Sequence, residues 1–397
     1  MANEHIIPHL YVPSEPKVYK FAVLWWKDRL LSEFHKKFVF LSTKIEDDAA
    51  EALHPNLLMI GRDKAHAFRR VLQRPYQADD YLHNLMTDHV LGSHSMVQIV
   101  ANSFEFRLWL EEEIKKQTDT TGFGAQCRNL KAAKHRFESH STPLGRTLLY
   151  LPAWLATCSR VRENRHGKKE GQQAQDYLRA LNPEALIQLS MLADAADEGL
   201  MLVRAMDREN VDMSEIASST AAFMDRVGVL FQQGKVVECG YTDYVLNLLR
   251  QGSLCILLPN ATKKFKGVDE AVVGRCLDRM RCWTRLAVEV VRTEFPHHSL
   301  FSAMQVFALR LERDQASELG EAANEHFHRL AQVFGVNATA LRDQLLRHRP
   351  VAEQVLREGG LRSRDAWLGA MRRMKAAGSP SDHLSPVLWR YIAWQAG

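Results

Sequence analysis

Asn182 to Met206 reads N-P-E-A-L-I-Q-L-S-M-L-A-D-A-A-D-E-G-L-M-L-V-R-A-M, and this stretch sets the fold class. Asn182 suits an N-cap, where a side-chain oxygen accepts a backbone N–H that the first helical turn leaves free. Pro183 fits the first helical position, because its fixed φ is helical and it has no N–H to satisfy. Beyond it Leu186, Leu189, Leu192, Ala196, Leu200 and Val203 form one continuous apolar face of a long helix. The same spacing predicts helices over about Ser214 to Phe231 and Asp269 to Val291, and it governs the chain from Lys64 onward. Gly167, Gly252, Pro259-Asn260, Gly267 and Gly378-Ser379-Pro380 are turn signals between helices. No repeat of fixed period and no sustained heptad accompanies them.

Ahead of Lys64 the pattern changes. Lys20 to Lys36 carries Phe21, Leu24, Trp25, Leu31 and Phe34 at helical spacing. Phe38-Val39-Phe40-Leu41 and Asn56-Leu57-Leu58-Met59-Ile60 have the length of buried strands, and Glu46 to Leu53 reads as a short helix between them. Strands over 38–45 and 55–61 are therefore expected to pair in a small sheet. The predicted fold class is mainly α with a small α/β part.

Composition narrows the function classes. The 397 residues are 46% hydrophobic and 25% charged, within the globular range. No apolar run approaches the roughly 18 to 20 residues of a membrane-spanning helix, and the N-terminus lacks the basic and apolar regions of a secretory signal. An intracellular protein with no membrane partner is expected. Cys127, Cys158, Cys239, Cys255, Cys276 and Cys282 form no C-x-x-C pair, which predicts buried, reduced thiols rather than a zinc module. No P-loop, dinucleotide fingerprint, nucleophile elbow or H-E-x-x-H is present. Net charge is only +5, but it is clustered. Arg160 to Lys169 holds five Lys/Arg in ten residues, Lys131 to Arg136 holds three in six, and Arg342 to Arg364 and Arg372 to Lys375 add more. Such clusters either neutralise phosphates or form a solvated helix surface.

Four stretches carry a more specific pattern. Asn56 to Gln73 (N-L-L-M-I-G-R-D-K-A-H-A-F-R-R-V-L-Q) is a strand running into a helix that opens with Ala-His. Gly92 to Lys115 reads as two helices broken at Asn102-Ser103, and Leu130 to Thr157 contains Lys131, Lys134 and Arg136-Phe137 before a helical run. The tail from Ala366-Trp367 to Trp394 is rich in Trp and Tyr. In this order the stretches resemble hAT-superfamily DNA transposases, whose strand meets a C-x-x-H motif, followed by two helices with a Ser between them and a T-R-W-x-S element. The tail resembles the region upstream of that family's S-x-x-E-R-x-F-S motif.

The resemblance implies a truncated ribonuclease-H-like remnant carrying a large helical insertion domain. Its expected boundaries are 1–75 for the partial α/β segment, 76–140 for a helical continuation, 141–360 for the insertion domain and 361–397 for the start of a dimerisation region. It further implies DNA as partner, a homodimer through the tail, a nuclear site of action in a eukaryotic cell, and Mg²⁺ as cofactor of the intact family. Carboxylates on strand ends hold two such ions around a phosphodiester. Asp47 stands where the family has its second catalytic and metal-binding Asp, with Asp48 as the alternative. Both also suit a helix N-terminus as plain dipole partners. Asp63 occupies the place of the Cys in C-x-x-H, a departure from the pattern, and His66 is that motif's His. Lys131, Lys134 and Arg136 would meet phosphates, and Phe137 would replace the Trp that stacks on a flipped base. Counterparts of the family's first Asp and third Glu are not found, which implies a catalytically incomplete centre. The competing reading is a helical interaction scaffold or regulator unrelated to transposition, using residues 183–295 as its platform.

Overall fold

The structure, a computed structural model, describes residues 64–118, 130, 138–206, 214–258, 261–265, 267–294, 298–309, 321–359 and 362–395. The helix expected over 20–36, the strands 38–45 and 55–61 and the helix between them lie outside these residues. Among the described residues the chain is mainly α. In order come α1 (Lys64–Gln77), α2 (Asp80–Met86), a π-helical turn (Thr87–Leu91), α3 (Met96–Asn102) and α4 (Phe104–Thr118). Then follow α5 (Glu138–Leu149), α6 (Leu151–Asn164), α7 (Lys169–Ala180), α8 (Pro183–Met206) and α9 (Ser214–Val227), the last running into a second π-helical turn (Gly228–Gln232). After α10 (Gly240–Arg250) come strands β1 (Cys255–Leu258) and β2 (Ala261–Lys264) and the long α11 (Glu270–Glu294). Helices α12 (His298–Ala303), α13 (Glu321–Phe334), α14 (Ala338–Gly359), α15 (Ser363–Ala376) and α16 (Leu384–Gln395) complete the described chain. No helix among the described residues is long and apolar enough to cross a membrane.

Local signals locate most boundaries. Asn182 Oδ1 accepts from the Ala185 N–H at 2.8 Å, the cap expected from N-P-E. Asp79, Ser95 and Asn337 cap α2, α3 and α14 in the same way. Ser103 breaks α3 from α4, its Oγ accepting from the Phe106 N–H at 3.3 Å. Gly167, Gly252, Gly267 and Gly378, each read as a turn, all have positive φ.

One stretch departs from the helical expectation. Cys255–Leu258 and Ala261–Lys264 pair as an antiparallel hairpin, with Cys255 opposite Lys264 and Leu258 opposite Ala261. Four-residue strands are too short to register a period, and Thr262-Lys263-Lys264 carries no apolar alternation. The cysteine expectation also changes: Cys158 and Cys276 are buried free thiols, whereas Cys239, Cys255 and Cys282 are exposed.

The chain divides into two compact units. The first comprises Phe68–Arg204 with Phe223–Val290, the second Met1–Ala67, Ala205–Ala222 and Val291–Gly397. In the first unit α8 is enclosed on more than its predicted face, since Ile187, Gln188, Ser190 and Met191 are buried along with Leu186 and Leu189. In the second unit, α14 packs against α13, α15 and α16. Trp367 donates its indole N–H to the Phe307 carbonyl at 2.9 Å, and Phe307 stacks on Tyr391 at 5.0 Å. Buried Gln344 of α14 accepts from the backbone N–H groups of His383 and Leu384 and so fixes the start of α16.

Helix α10 has no cap of its own, because Cys239 at its N-cap makes no side-chain hydrogen bond to it. Asp194 of α8 takes that role. Its carboxylate accepts from the Tyr241 N–H (2.9 Å), the Thr242 N–H (3.0 Å) and the Thr242 hydroxyl (2.6 Å). Burial pushes Asp194 up to about 6 despite these donors, so it remains ionised at neutral pH. Gly240 adopts φ +67°, and a Cβ there would collide with the Asp194 carboxylate. Asp194→Ala should therefore cost about 2 to 4 kcal/mol, because it leaves the buried Thr242 N–H and the half-buried Tyr241 N–H unmet. Gly240→Ala should cost about 1 to 3 kcal/mol through backbone strain. Urea unfolding checks both, and an unchanged midpoint for Asp194→Ala would remove this cap from the account.

Candidate nucleic-acid interface

Most residues singled out from the sequence lie outside the described residues: Asp47, Asp48, Asp63, Lys131, Lys134, Arg136 and Phe137. His66 lies in the first turn of α1, where its backbone is helical. Leu130, immediately ahead of the Lys131 cluster, is buried. The Mg²⁺ ligand expected at Asp47 belongs to the undescribed stretch, and among the described residues no group of three or more His, Cys, Asp or Glu is arranged to hold a metal ion.

The cationic run 160–169 is described in full, and much of it is already neutralised. Arg160 pairs with Glu112 at 2.6 Å while its guanidinium lies 4.6 Å over the Trp109 ring. Arg162 is buried and bonds Glu163 at 2.5 Å. Arg165 bonds Glu105 and sits 5.6 Å over Phe106. Glutamates and aromatics of α4 thus occupy two arginines of the facing α6. The reason is one of register: Glu105 and Glu112 stand two helical turns apart on α4 and match Arg165 and Arg160 on α6.

What remains cationic is the elbow between α6 and α7. His166, Lys168 and Lys169 are exposed there, and the positive φ of Gly167 makes the turn. Lys169 Nζ lies 3.1 Å from His94 Nε2. Lys168 at the N-cap of α7 makes no side-chain cap hydrogen bond. The first-turn N–H groups of α7 therefore add partial positive charge beside the lysines, partly offset by Glu170. The arrangement can hold an anion such as a backbone phosphate at the surface.

A buried polar chain lies in the same unit, and nothing in the sequence had marked it. His89, on the first π-helical turn, places Nε2 at 2.8 Å from Thr147 Oγ1 and Nδ1 at 2.7 Å from the Tyr177 hydroxyl. Thr147 donates to the Leu144 carbonyl at 2.9 Å, so it accepts from the imidazole Nε2–H. Tyr177 then donates to Nδ1 and accepts from the Trp154 indole N–H at 3.1 Å. Every polar atom is met inside the protein, which marks the chain as structural. Burial holds the imidazole down to about 3, so His89 is neutral.

No protein-family profile, curated protein or solved structure matches the chain. The functional reading rests on its own residues.

His89 gives a pH prediction. Its folded pKa lies below the unfolded value, so its contribution is fully present above pH 6.5 and is lost as pH falls from 6.5 toward 3. The slope is about 1.4 kcal/mol per pH unit, so stability should fall by about 2 kcal/mol between pH 6.5 and pH 5. His89→Leu should be less stable at neutral pH and show a flatter decline below it, measured by urea unfolding at each pH. An equal decline in both proteins would show that His89 is not the buried neutral group described.

Proposed function

We propose that this chain is a hAT-transposase-related DNA-binding protein in which a ribonuclease-H-like segment carries a large helical domain. DNA binding is the role we assign to it. The observation that carries this reading is the collinear order in the sequence of four stretches, 56–73, 92–115, 130–157 and 366–394, that resemble the family's pattern. The break between α3 and α4 at Ser103 supports it, because the pattern has two helices with a Ser between them. The exposed Lys168 and Lys169 at the elbow support phosphate contact by the first unit. Lys131, Lys134 and Arg136 would extend that contact, with Phe137 stacking on an unpaired base.

A second reading, a helical interaction scaffold, is favoured by one observation. Phe104 is 70% exposed and Leu108, one turn on, 40% exposed, an apolar pair on α4 open to a partner. Trp389, 51% exposed on α16, is the corresponding feature for self-association through the tail.

Titration of a labelled DNA duplex at several salt concentrations separates these readings. The full chain should bind with an affinity that falls steeply with salt. Replacing Lys131, Lys134 and Arg136 together with Ala should weaken binding and flatten the salt slope by about one unit per lost phosphate contact. Phe137→Ala should cost little on plain duplex, but about 1 to 3 kcal/mol on DNA with an unpaired base. If the triple variant keeps the parent's affinity and slope, these cations are a solvated surface; a full chain that binds no duplex gives way to the scaffold reading.

A further inference from the structure

Residues 338–395 contain ten Lys/Arg against five Asp/Glu, a surplus equal to the +5 of the entire chain. This excess is local to α14, α15 and α16, since the second unit as a whole holds 24 Lys/Arg and 24 Asp/Glu.

The local acids do not cancel it. Glu353 pairs with Arg349 at 2.9 Å, Glu358 with Arg373 at 2.7 Å and Asp365 with Arg364 at 3.4 Å. Asp382 accepts from Gln344 at 3.0 Å. Three of the five acids are thus matched to an arginine of their own. Arg347, Arg357, Arg362, Arg372 and Lys375 are exposed and make no ion pair among the described residues. Arg347 and Arg357 are ten residues apart on one helix, which spaces them by about 15 Å along its axis.

We infer that α14 and α15 form a second phosphate-binding surface, in the second unit, that takes the backbone of a nucleic-acid duplex. Three physical arguments lead to a polyanion of that kind. The five cations are spread along helix surfaces rather than gathered in a pocket, so a single small anion would meet one or two of them. A duplex carries one charge per about 1.7 Å of axis and can meet several of them at once. Four of the five are arginines, whose planar guanidinium suits phosphate oxygens. An anionic membrane is the poorer fit, because the apolar face of both helices is already buried. Leu341, Leu345, Val355, Trp367 and Met371 all lie in the core. Leu346 and Trp389 are the only large apolar side chains exposed in the described part of this stretch, too few for insertion. The packing of α15 against α14 and the Trp367 bond to Phe307 hold the cations on a fixed frame, so little is lost in ordering the helices on binding.

This surface stands on charge and exposure within 338–395 and does not depend on residues 131–137 or 164–169. The test uses the full chain and a fluorescein-labelled DNA duplex of mixed sequence, followed by anisotropy across a salt series. Replacing Arg357, Arg362, Arg372 and Lys375 together with Gln should lower affinity at least roughly tenfold at physiological salt and reduce the salt slope by about three units. The Arg357→Lys, Arg362→Lys, Arg372→Lys set should keep most of the slope, and an unchanged thermal melt shows that the Gln variant is folded. An unaltered affinity and slope in the folded Gln variant would overturn the inference. If the Lys131, Lys134, Arg136 triple variant alone loses binding, the surface on α14 and α15 is refuted while the proposed function stands. Loss in the Gln variant alone places the DNA contact on α14 and α15 and removes Lys131, Lys134 and Arg136 from it. Capture of phosphatidylserine vesicles with no duplex binding would refute it in favour of a membrane.

Discussion

The first unit depends on how one helix end is satisfied. The N-terminus of α10 is partly buried, with the Thr242 N–H fully so, and a helix end buried without partners carries a heavy desolvation cost. Asp194 meets two N–H groups of that end from the middle of α8, far away in sequence. The next turn of α8 extends the joint: Asp197 accepts from the Ser141 hydroxyl of α5 at 3.1 Å and from the Tyr241 hydroxyl. Tyr241 in turn lies so close to Gly145 of α5 that a side chain there would overlap its hydroxyl. Three helices are thus fastened by two carboxylates placed three residues apart. The geometry admits little variation in Gly240, whose backbone turns directly beneath Asp194.

Charge is handled differently in the two units. In the first, cations that look available in the sequence are paired across α4 and α6, and the aromatic rings of Phe106 and Trp109 lie beneath the guanidinium groups. Those arginines serve as much to cover aromatic surface as to carry charge. A similar arrangement holds α8 to α11, where Glu184 takes both Arg279 and Arg275 and Arg279 covers Tyr81. On α14 and α15 of the second unit, Arg347, Arg357, Arg362, Arg372 and Lys375 have no such partner among the described residues and remain turned to solvent. Net charge summed over the chain hides that contrast.

The parts of the fold that were legible in the sequence share a cause. Asn182-Pro183, Ser95, Ser103 and the turn glycines act through hydrogen bonds or φ preferences within a few residues, so their effect is written where they stand. The hairpin at 255–264 was not legible, because its strands are short and its second strand is polar. The His89 chain was not either. A lone His among apolar neighbours becomes informative only when Thr147, Trp154 and Tyr177 arrive from other helices. The same holds for the candidate interface. Composition located the basic clusters, but it could not tell which cations would find a glutamate across a helix pair.

The sequence by itself determined that this protein is mainly α, where many of its helices begin and end, and where its cations are concentrated. These follow from apolar spacing, capping side chains and glycine torsions, all of them local. Tertiary structure decided which charges are cancelled, which buried helix end is capped by Asp194, and which histidine is kept neutral. Those outcomes depend on groups tens of residues apart meeting within hydrogen-bond distance, and in a low-dielectric interior that meeting, rather than the residue type, sets the energy.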